Sequence, residues 1–473
     1  MSKYIIEKKW WVLIGVGIAS FMGCLDFTVV NTALPAIQST FECSVSQLQW
    51  VINVFIIALS TFMVIAGRLA DLKGRKKLLI IGISLFALSS LGAGLSISFQ
   101  QLIIFRFVQG VACAILYTTS GAIISNAFPE EERGKAIGLL FGINGIGLAA
   151  GPVVGALIVG LFHWKWIFLI NAPLAILCIV ITILNVTESK EDSRSVSVDW
   201  WGLIVLLTAL PTLILGLNIG PQEGWASFLT LSLLTLSFLL FIVFYFLEKK
   251  VVAPIIQFKF FASKMFISSV VATFTLAIFY CLAFFLMPMY LHIIRNENNF
   301  MIGLMLLPTT AMVAIMSPIA GKLVDGFGPR IIVLSGFLLF LLSSLIQSQF
   351  SISSSLLQVL IAFFTMGIGW ACILGPSTVA SLSSVPESMG ALAMGTAWTM
   401  HNIGGAIGLS VGISIFYHFS TAHYLSKNIP SIVNTMNYNK ELFMNGYSSA
   451  MWFLFACTFL AFIFCFFGMK KTE

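Results

Sequence analysis

"GRLADLKGRKK" spans residues 67–77, and a weaker copy, "GKLVDGFGPR", spans residues 321–330. Both segments follow the pattern G-[RK]-L-x-D-x-x-G, and each comes directly after a long apolar run. Basic residues follow the pattern in both copies. A motif that recurs at the same place relative to an apolar run predicts that the chain consists of two equivalent halves.

Apolar runs continue on both sides of the two motifs along the whole chain. The 473 residues are 59% hydrophobic and only 9% charged, whereas soluble domains carry about 25% charged residues. Each run is long enough to cross a bilayer as a helix and too long and uniform for a barrel strand. The sequence therefore predicts an all-α integral membrane protein with fourteen transmembrane helices, at about residues 10–32, 47–69, 78–97, 101–126, 135–160, 164–186, 199–219, 226–248, 264–291, 300–320, 331–349, 354–381, 389–417 and 447–468.

The positive charges are distributed unevenly between the connecting segments. If the N-terminus is cytoplasmic, twenty of the 25 Lys and Arg residues fall in cytoplasmic segments. The outer segments hold only Lys165, Arg295, Lys427 and Lys440. This pattern predicts a multi-pass protein of the cell (inner or cytoplasmic) membrane with both termini in the cytoplasm. It also accounts for the net charge of +7 without a nucleic-acid partner.

Aligning the two motifs matches helices 1–6 with helices 9–14 and leaves helices 7 and 8 as an insert. We therefore expect two pseudo-symmetric six-helix bundles, at residues 1–188 and 261–473, joined by a linker at residues 189–260 that contains the two extra helices. In transporters built from such parallel halves, the substrate binds between the halves near the middle of the bilayer.

Asp26 lies inside the first apolar run, whereas the other Asp and Glu residues fall in loops or at predicted helix ends. Gly15, Ala19 and Gly23 form a stripe of small residues that ends beside it, which predicts that Asp26 faces protein or a water-filled cavity. An ionisable residue within a bilayer is a candidate for function. Its carboxylate can hold either a proton or a cationic substrate, and an antiporter needs that competition. The alternative is a structural Asp that is hydrogen-bonded to a neighbouring helix or lies near enough to the outer surface to stay hydrated.

Further segments lie on both sides of the first motif, at regular places on the predicted helices. Together with residues 67–77, they resemble the signatures of the major facilitator superfamily, in its fourteen-helix drug:proton antiporter branch of multidrug and quaternary-ammonium exporters. The matching segments are "LDFTVVNTALP" at 25–35, "RFVQG" at 106–110, "GINGIGLAAGPVVGALI" at 142–158 and "WKWIFLINAP" at 164–173.

The resemblance implies a role in proton transfer for Arg106, which lies in the fourth-helix segment. The alternative is that Arg106 is a fixed hydrogen-bonded strut between helices. His401 in helix 13 is a candidate for a second proton site or a substrate contact, since histidine titrates near neutral pH. The alternative is that it is a buried packing histidine.

The resemblance also assigns a gating role to the repeated motif. Asp71 can accept hydrogen bonds from a helix N-terminus and pair with Arg75 or Arg133. Glycines in the motif permit close approach and a tight turn. The candidates for the gate are Gly67, Asp71, Gly74, Arg75 and Arg133, with Asp325 and Arg330 from the second copy.

Helix 5 carries Gly147, Gly151 and Gly155 at four-residue steps, with Pro152 among them. The glycines allow close helix contact, and the proline can kink the helix. In the family that the chain resembles, this pattern marks exporters.

The substrate cavity is expected to be apolar and aromatic. Tyr280, Trp370 and Trp398 are candidates for stacking on a flat or cationic ligand, and Gln109 is a polar candidate for the cavity wall. The polar segment at residues 418–446 is predicted to lie outside the membrane.

The sequence contains no phosphate-binding loop, metal-ligand cluster or nucleophile elbow. We therefore expect no enzyme activity and no cofactor, so that a proton gradient supplies the energy. The expected function is proton-coupled export (antiport) of amphipathic compounds such as drugs, cationic ones included, by alternating access. The expected partners are the lipid bilayer, a small-molecule substrate and protons, and the chain is expected to be a monomer.

Two other functions stay open. Dication exporters of the same branch tend to carry further acids in helices 10 and 13, and this sequence has none there. A dedicated exporter of an endogenous metabolite, such as a siderophore or a lipid, is therefore one alternative. A non-transporting membrane sensor is the other.

Overall fold

The computed structural model of the chain describes residues 2–43, 45–48, 50–189, 199–251, 254, 256–297, 299–420 and 440–469. Within these residues the chain is helical, and fourteen helices are long and apolar enough to cross a membrane. They are α1 (Ser2–Phe41), α2 (Trp50–Lys73), α3 (Arg75–Gly94), α4 (Phe99–Ala127), α5 (Glu130–Leu161), α6 (Asn171–Asn185), α7 (Trp200–Glu223), α8 (Phe228–Glu248), α9 (Lys264–Ile293), α10 (Asn299–Phe327), α11 (Pro329–Ser348), α12 (Leu356–Ser383), α13 (Gly390–Ser420) and α14 (Lys440–Gly468). The short helix Trp166–Leu169 precedes α6 and completes its span. The predicted fold class and number of helices are confirmed.

Several predicted helix ends are wrong, because polar residues continue the helices. In α1 the hydroxyl of Thr32 donates to the carbonyl of Val29 at 2.7 Å. The hydroxyl of Thr40 donates to the carbonyl of Ala36, also at 2.7 Å. Side chains that bond back onto their own helix do not interrupt it. Helix α1 therefore continues to Phe41 instead of ending near residue 32.

Both copies of the repeated motif are helical up to a glycine. Helix α2 extends to Lys73 and α10 to Phe327, beyond the predicted ends at residues 69 and 320. The next residue with a left-handed backbone is Gly74 (φ 109°) in the first copy and Gly328 (φ 76°) in the second. A glycine adopts this conformation without a steric penalty, so each copy ends its helix in a sharp turn.

The segment at residues 418–446 also differs from the prediction of a polar outer loop. Residues 418–420 complete α13, and residues 440–446 begin α14. The part between them, including Lys427, lies outside the described residues.

The first six helices pack against the last six along two seams. Helix α2 packs on α13, and helix α5 packs on α10. Because the repeat matches α2 with α10 and α5 with α13, the two seams are equivalent. Helices α7 and α8 pack on each other, and α7 lies against both α2 and α13. The exact domain boundaries at 188 and 261 stay a prediction.

The end of the bundle that carries residues 67–77 and 321–330 is called the motif face below. At both seams, the contacts between the first six and the last six helices occur in the part of each helix nearer to this face. They involve residues 60–71 of α2, 391–402 of α13, 134–145 of α5 and 313–325 of α10. The space between the two halves is therefore closed at the motif face.

Candidate functional site

Asp26 lies in the middle of α1 with no exposed surface. Its Oδ2 accepts a hydrogen bond from Nη1 of Arg106 on α4 at 2.5 Å, and its Oδ1 accepts one from Nε2 of Gln109 at 2.8 Å. Nε of Arg106 donates to the carbonyl of Val51 on α2 at 3.0 Å. The guanidinium lies over the ring of Phe55, 4.3 Å from its centroid. The sequence-predicted acid and base therefore form one buried ion pair that joins three helices.

This ion pair belongs to a larger polar network. Nε2 of Gln109 also lies 3.3 Å from the hydroxyl of Ser90 on α3, which in turn accepts from Nδ2 of Asn171 on α6 at 3.0 Å. The hydroxyl of Ser90 donates to the carbonyl of Phe168 at 2.8 Å. We call Asp26, Arg106, Gln109, Ser90 and Asn171 the Asp26 network. Gln109 lies inside it and is fully buried.

Ser90 and Asn171 were not predicted as site residues. Each is a polar side chain within an apolar run, and that signal was available in the sequence. Buried polar groups need partners, so the two side chains provide the hydrogen bonds that connect α3 and α6 to the network.

The Asp26 network can respond to a change of charge. A buried carboxylate and guanidinium stabilise each other, and removing either charge leaves the other one uncompensated. Protonation of Asp26 would remove the negative charge and weaken the bonds to α4. The network therefore offers a means by which one proton can loosen the contacts among several helices.

A second polar group of the chain joins the two halves at the motif face. Asp71 on α2 is buried and pairs with Arg75, whose Nε donates to Oδ1 at 2.8 Å. The backbone amides of Ala391 and Leu392, at the start of α13, donate to the same carboxylate at 3.2 and 2.7 Å. The positive end of the α13 dipole favours this arrangement. We call these four residues the first latch.

The second copy of the motif makes an equivalent arrangement at the other seam. Asp325 on α10 accepts from the backbone amides of Gly134 and Lys135 of α5 at 2.7 and 2.8 Å. We call these three residues the second latch. Arg330 does not join it, since its Nη2 donates to the carbonyl of Phe466 on α14 at 2.9 Å.

Arg133 pairs with Glu387, not with Asp71. The carbonyl of Glu387 also accepts from Nη2 of Arg75. Glu387 thus ties the segment before α13 to two arginines of the first six helices. Nothing in the sequence pattern singles it out from the other acids at helix ends.

Gly67 allows the first latch to close. A Cβ at this position would lie 2.2 Å from the carbonyl oxygen of Ala391, which is backbone and cannot turn away. We expect Gly67→Ala to destabilise the closed motif face by about 1–3 kcal/mol and to reduce transport several-fold. Gly326 in the second copy is the matched control, because nothing lies within 4 Å of its added Cβ. Equal transport rates for the two variants in vesicles would contradict the role of Gly67.

The glycines of α5 contact α1, the helix that carries Asp26. A Cβ at Gly147 would meet Cys24 and Phe21, one at Gly151 would meet Thr28, and one at Gly155 would meet Thr32 and Val29. The stripe therefore lets α5 approach α1 closely on both sides of Asp26. Helix α5 continues through Pro152 as one helix from Glu130 to Leu161.

The remaining candidates lie together in the last six helices. His401 is buried, and its Nδ1 lies 2.9 Å from the carbonyl of Thr273. Tyr280 stacks on Trp370, with ring centroids 4.4 Å apart, and Trp398 packs edge-on against His401 at 4.9 Å. Gln109 is not part of this group.

Two matched six-helix sets, closed against each other at one end, define a membrane transporter of the two-half type. The family model described as Major Facilitator Superfamily matches residues 16–409, so the chain belongs to that family. Its members are transporters, not enzymes, and the chain is a multi-pass membrane protein that carries a small molecule through a lipid bilayer.

Proteins with similar sequences are named for drug resistance, export or vitamin transport. Multidrug resistance protein Stp of Mycobacterium tuberculosis is 34% identical over 84% of this chain and 74% of its own length. The tetracenomycin C resistance and export protein of Streptomyces glaucescens is 28% identical over 85% and 75% of the two chains. Riboflavin transporter RibZ of Clostridioides difficile is 27% identical over 99% of both chains.

Solved structures share the fold at low sequence identity. The human organic anion transporter MFSD10 (TETRAN) superposes with a TM-score of 0.68 at 15% identity, covering 97% of this chain and 99% of that one. The proton:xylose symporter XylE superposes with a TM-score of 0.67 at 14% identity, covering 99% and 97%. Because the two carry different substrates, this likeness concerns the fold alone.

Proposed function

We propose that the protein is a proton-coupled antiporter that exports amphipathic small molecules from the cell, with the motif face and both termini in the cytoplasm. The observation that carries this proposal is the buried ion pair between Asp26 and Arg106. An acid at this depth costs at least about 2.5–3.5 kcal/mol. Its place in the Asp26 network, which spans four helices and bonds to the backbone of a fifth, couples its charge to helix packing.

The proposed cycle alternates between two states of Asp26. With Asp26 ionised, the pair with Arg106 holds α1 against α4 and the motif face is closed. When a proton enters from outside, it neutralises Asp26 and weakens that pair. The two latches then open, and the substrate site faces the cytoplasm. Binding of substrate and release of the proton to the cytoplasm return the protein to the closed state.

The direction of transport is proposed from two observations. Several relatives are named for resistance or export. The glycine stripe of α5, which the family resemblance associates with exporters, packs on the helix that carries Asp26. Proton influx along the gradient would then drive substrate outward.

A dedicated metabolite transporter is the second candidate. The alignment with the riboflavin transporter covers nearly all of both chains, and helices 10 and 13 lack the additional intramembrane acids of dication exporters. Both observations favour a narrower substrate range than that of a broad exporter of cationic drugs.

Substrate-induced proton release tests the proposal. Energised inverted vesicles containing the protein would be exposed to cationic dyes, neutral drugs, riboflavin and siderophores while lumenal pH is followed. A substrate should raise the lumenal pH with the parent protein and with Glu223→Gln, which changes an exposed acid at the end of α7. It should have no effect with Asp26→Asn. Equal proton release by Asp26→Asn would refute coupling through Asp26.

The outcome of the panel also separates the two candidate functions. Several unrelated active compounds would support multidrug export. One active metabolite and no active drug would support the dedicated transporter. If the vesicles accumulate compounds and none of these compounds causes proton release, antiport is refuted altogether.

A further inference from the structure

Aromatic rings from the two halves meet in the middle of the protein. Tyr117 of α4 stacks on Trp398 of α13, with ring centroids 5.7 Å apart and ring planes 22° apart. Phe141 of α5 also contacts Trp398, at 6.2 Å. Among the described aromatic pairs, these two are the ones that join the halves. Tyr117 and Trp398 are only partly buried, so both rings border open space.

The row of rings continues into the last six helices. The edge of Trp398 meets His401 at 4.9 Å, and His401 stacks on Tyr280 at 5.6 Å. Tyr280 in turn stacks on Trp370 at 4.4 Å with an angle of 23°. Rings therefore follow one another from α4 through α13 and α9 to α12, and the contact between Trp398 and His401 is the edge-on one among them.

Polar atoms without partners lie beside these rings. Nε1 of Trp370 and Oγ of Ser377 are buried and have no hydrogen-bond partner. Nδ1 of His401 faces a carbonyl, which can only accept, so in the neutral ring Nδ1 carries the proton and Nε2 is left as an acceptor. Buried polar atoms usually have partners. These atoms are therefore available to a ligand with its own donors and acceptors.

A small cavity adjoins the same residues. It is lined by Ser377, Trp398 and His401, together with Thr273 and Thr378. Its volume of about 10 Å³ admits roughly one water molecule. In the closed conformation the site is thus too small for a substrate, and a ligand needs the halves to separate.

The three helices of the second half that carry these rings have almost no charged side chains. Within α9, α12 and α13 the sequence has Lys264 at the start of α9 and no other Asp, Glu, Lys or Arg. Asp26, in the middle of α1, is paired with Arg106. A cation bound against these rings would lose its hydration without gaining a counter-ion, and that loss is costly.

We propose that Tyr117 and Trp398 form a slot for an uncharged, planar, fused-ring aromatic substrate bearing carbonyl or hydroxyl groups. This inference rests on the proposed function, of which it specifies the substrate class. When the halves part, the gap between the two rings widens to roughly 7 Å, twice the usual contact distance between carbon atoms. The planar substrate enters that gap, and Trp370, Ser377 and His401 supply its hydrogen bonds.

Binding of acridone and proflavine to the full-length protein in nanodiscs tests the slot. Both probes have three fused rings, but acridone is uncharged with a carbonyl and proflavine is a cation at neutral pH. We expect acridone to bind more tightly than proflavine. Tyr117→Leu and Trp398→Leu should each weaken acridone binding on the order of tenfold, which corresponds to the loss of one stacked ring.

Conservative and distant variants control for folding. Tyr117→Phe and Trp398→Phe keep a ring and should retain acridone binding within about threefold. Trp452→Leu and Tyr245→Leu change exposed rings on α14 and α8 and should leave binding unchanged. Tighter binding of proflavine, no binding of acridone, or parental affinity in both leucine variants at the slot would overturn the inference.

The vesicle assay separates a failure of the slot from a failure of the proposed function. Proton release with another compound, in a protein that does not bind acridone, would refute the slot and leave antiport standing. Acridone binding that depends on Tyr117 and Trp398, without any proton release, would keep the slot and refute antiport.

Discussion

Asp26→Asn is expected to abolish substrate-induced proton release and to destabilise the protein by about 3–5 kcal/mol. The amide leaves the buried guanidinium of Arg106 without its counter-ion, although the carbonyl of Val51 and the side chain of Gln109 still accept from it. Thermal unfolding can be followed with a thiol-reactive dye, since Cys113 and Cys178 are buried free thiols.

The double variant Asp26→Asn/Arg106→Gln distinguishes a coupling role from a structural one. It removes both charges together, and replacing a buried ion pair by neutral groups is often tolerated. If Asp26 couples proton movement to transport, stability returns and proton release does not. If the pair is only a strut, both return. Recovery of proton release in the double variant would therefore refute the role of Asp26 as the proton site.

Asp71→Asn is expected to open the motif face and to slow transport at least tenfold. The substitution removes the charge that accepts from two backbone amides and from Arg75, and hydrogen bonds to charged groups contribute about 1.5–3 kcal/mol each. Loss of one such bond shifts the equilibrium between closed and open states roughly 10- to 100-fold. Labelling of Thr399→Cys by a maleimide measures that shift, because Thr399 is buried where α13 packs on Ser60 of α2.

Asp325→Asn is the matched comparison at the second latch. Its carboxylate makes the same two bonds to backbone amides, but the side chain is only half-buried. Solvent screening weakens its contribution, so we expect a smaller shift, reported by Ser317→Cys at the seam between α10 and α5. If Thr399→Cys stays unreactive in the Asp71→Asn protein, the motif face is still closed, and this result would contradict the role of the first latch.

The number and order of the helices could be predicted from the sequence because the bilayer leaves few alternatives. Each apolar run has to satisfy its own backbone hydrogen bonds, and the repeated motif places the runs in two equivalent sets. The ends of the helices could not be predicted as well. Threonine hydroxyls bond back onto the helix in α1, and the motif itself is helical up to Gly74.

The candidate site was predicted in part, and the limit has a physical cause. Asp26 stands out because a carboxylate in an apolar run is costly. Its partners do not, since the choice of Arg106 and Gln109 depends on which helices lie side by side. The same holds for Arg133 and Arg330, whose partners Glu387 and Phe466 are distant in sequence. The sequence pattern alone places Arg133 and Arg330 at one end of the bundle, but it does not show which residues they contact.

Both latches use backbone amides as donors, and this has a consequence for mutational robustness. At residues 135, 391 and 392 the hydrogen bond does not depend on the side chain, and only proline would remove the donor. Gly134 differs, because an added Cβ there would lie 2.4 Å from Oδ1 of Asp325. The acceptors are two carboxylates, Asp71 and Asp325. The genetic information for closing the motif face is therefore concentrated in a few codons, those of the two carboxylates together with Arg75, Gly67 and Gly134. Most substitutions at residues 135, 391 and 392 are silent with respect to these bonds, so selection can vary these three positions for packing while the closure mechanism persists.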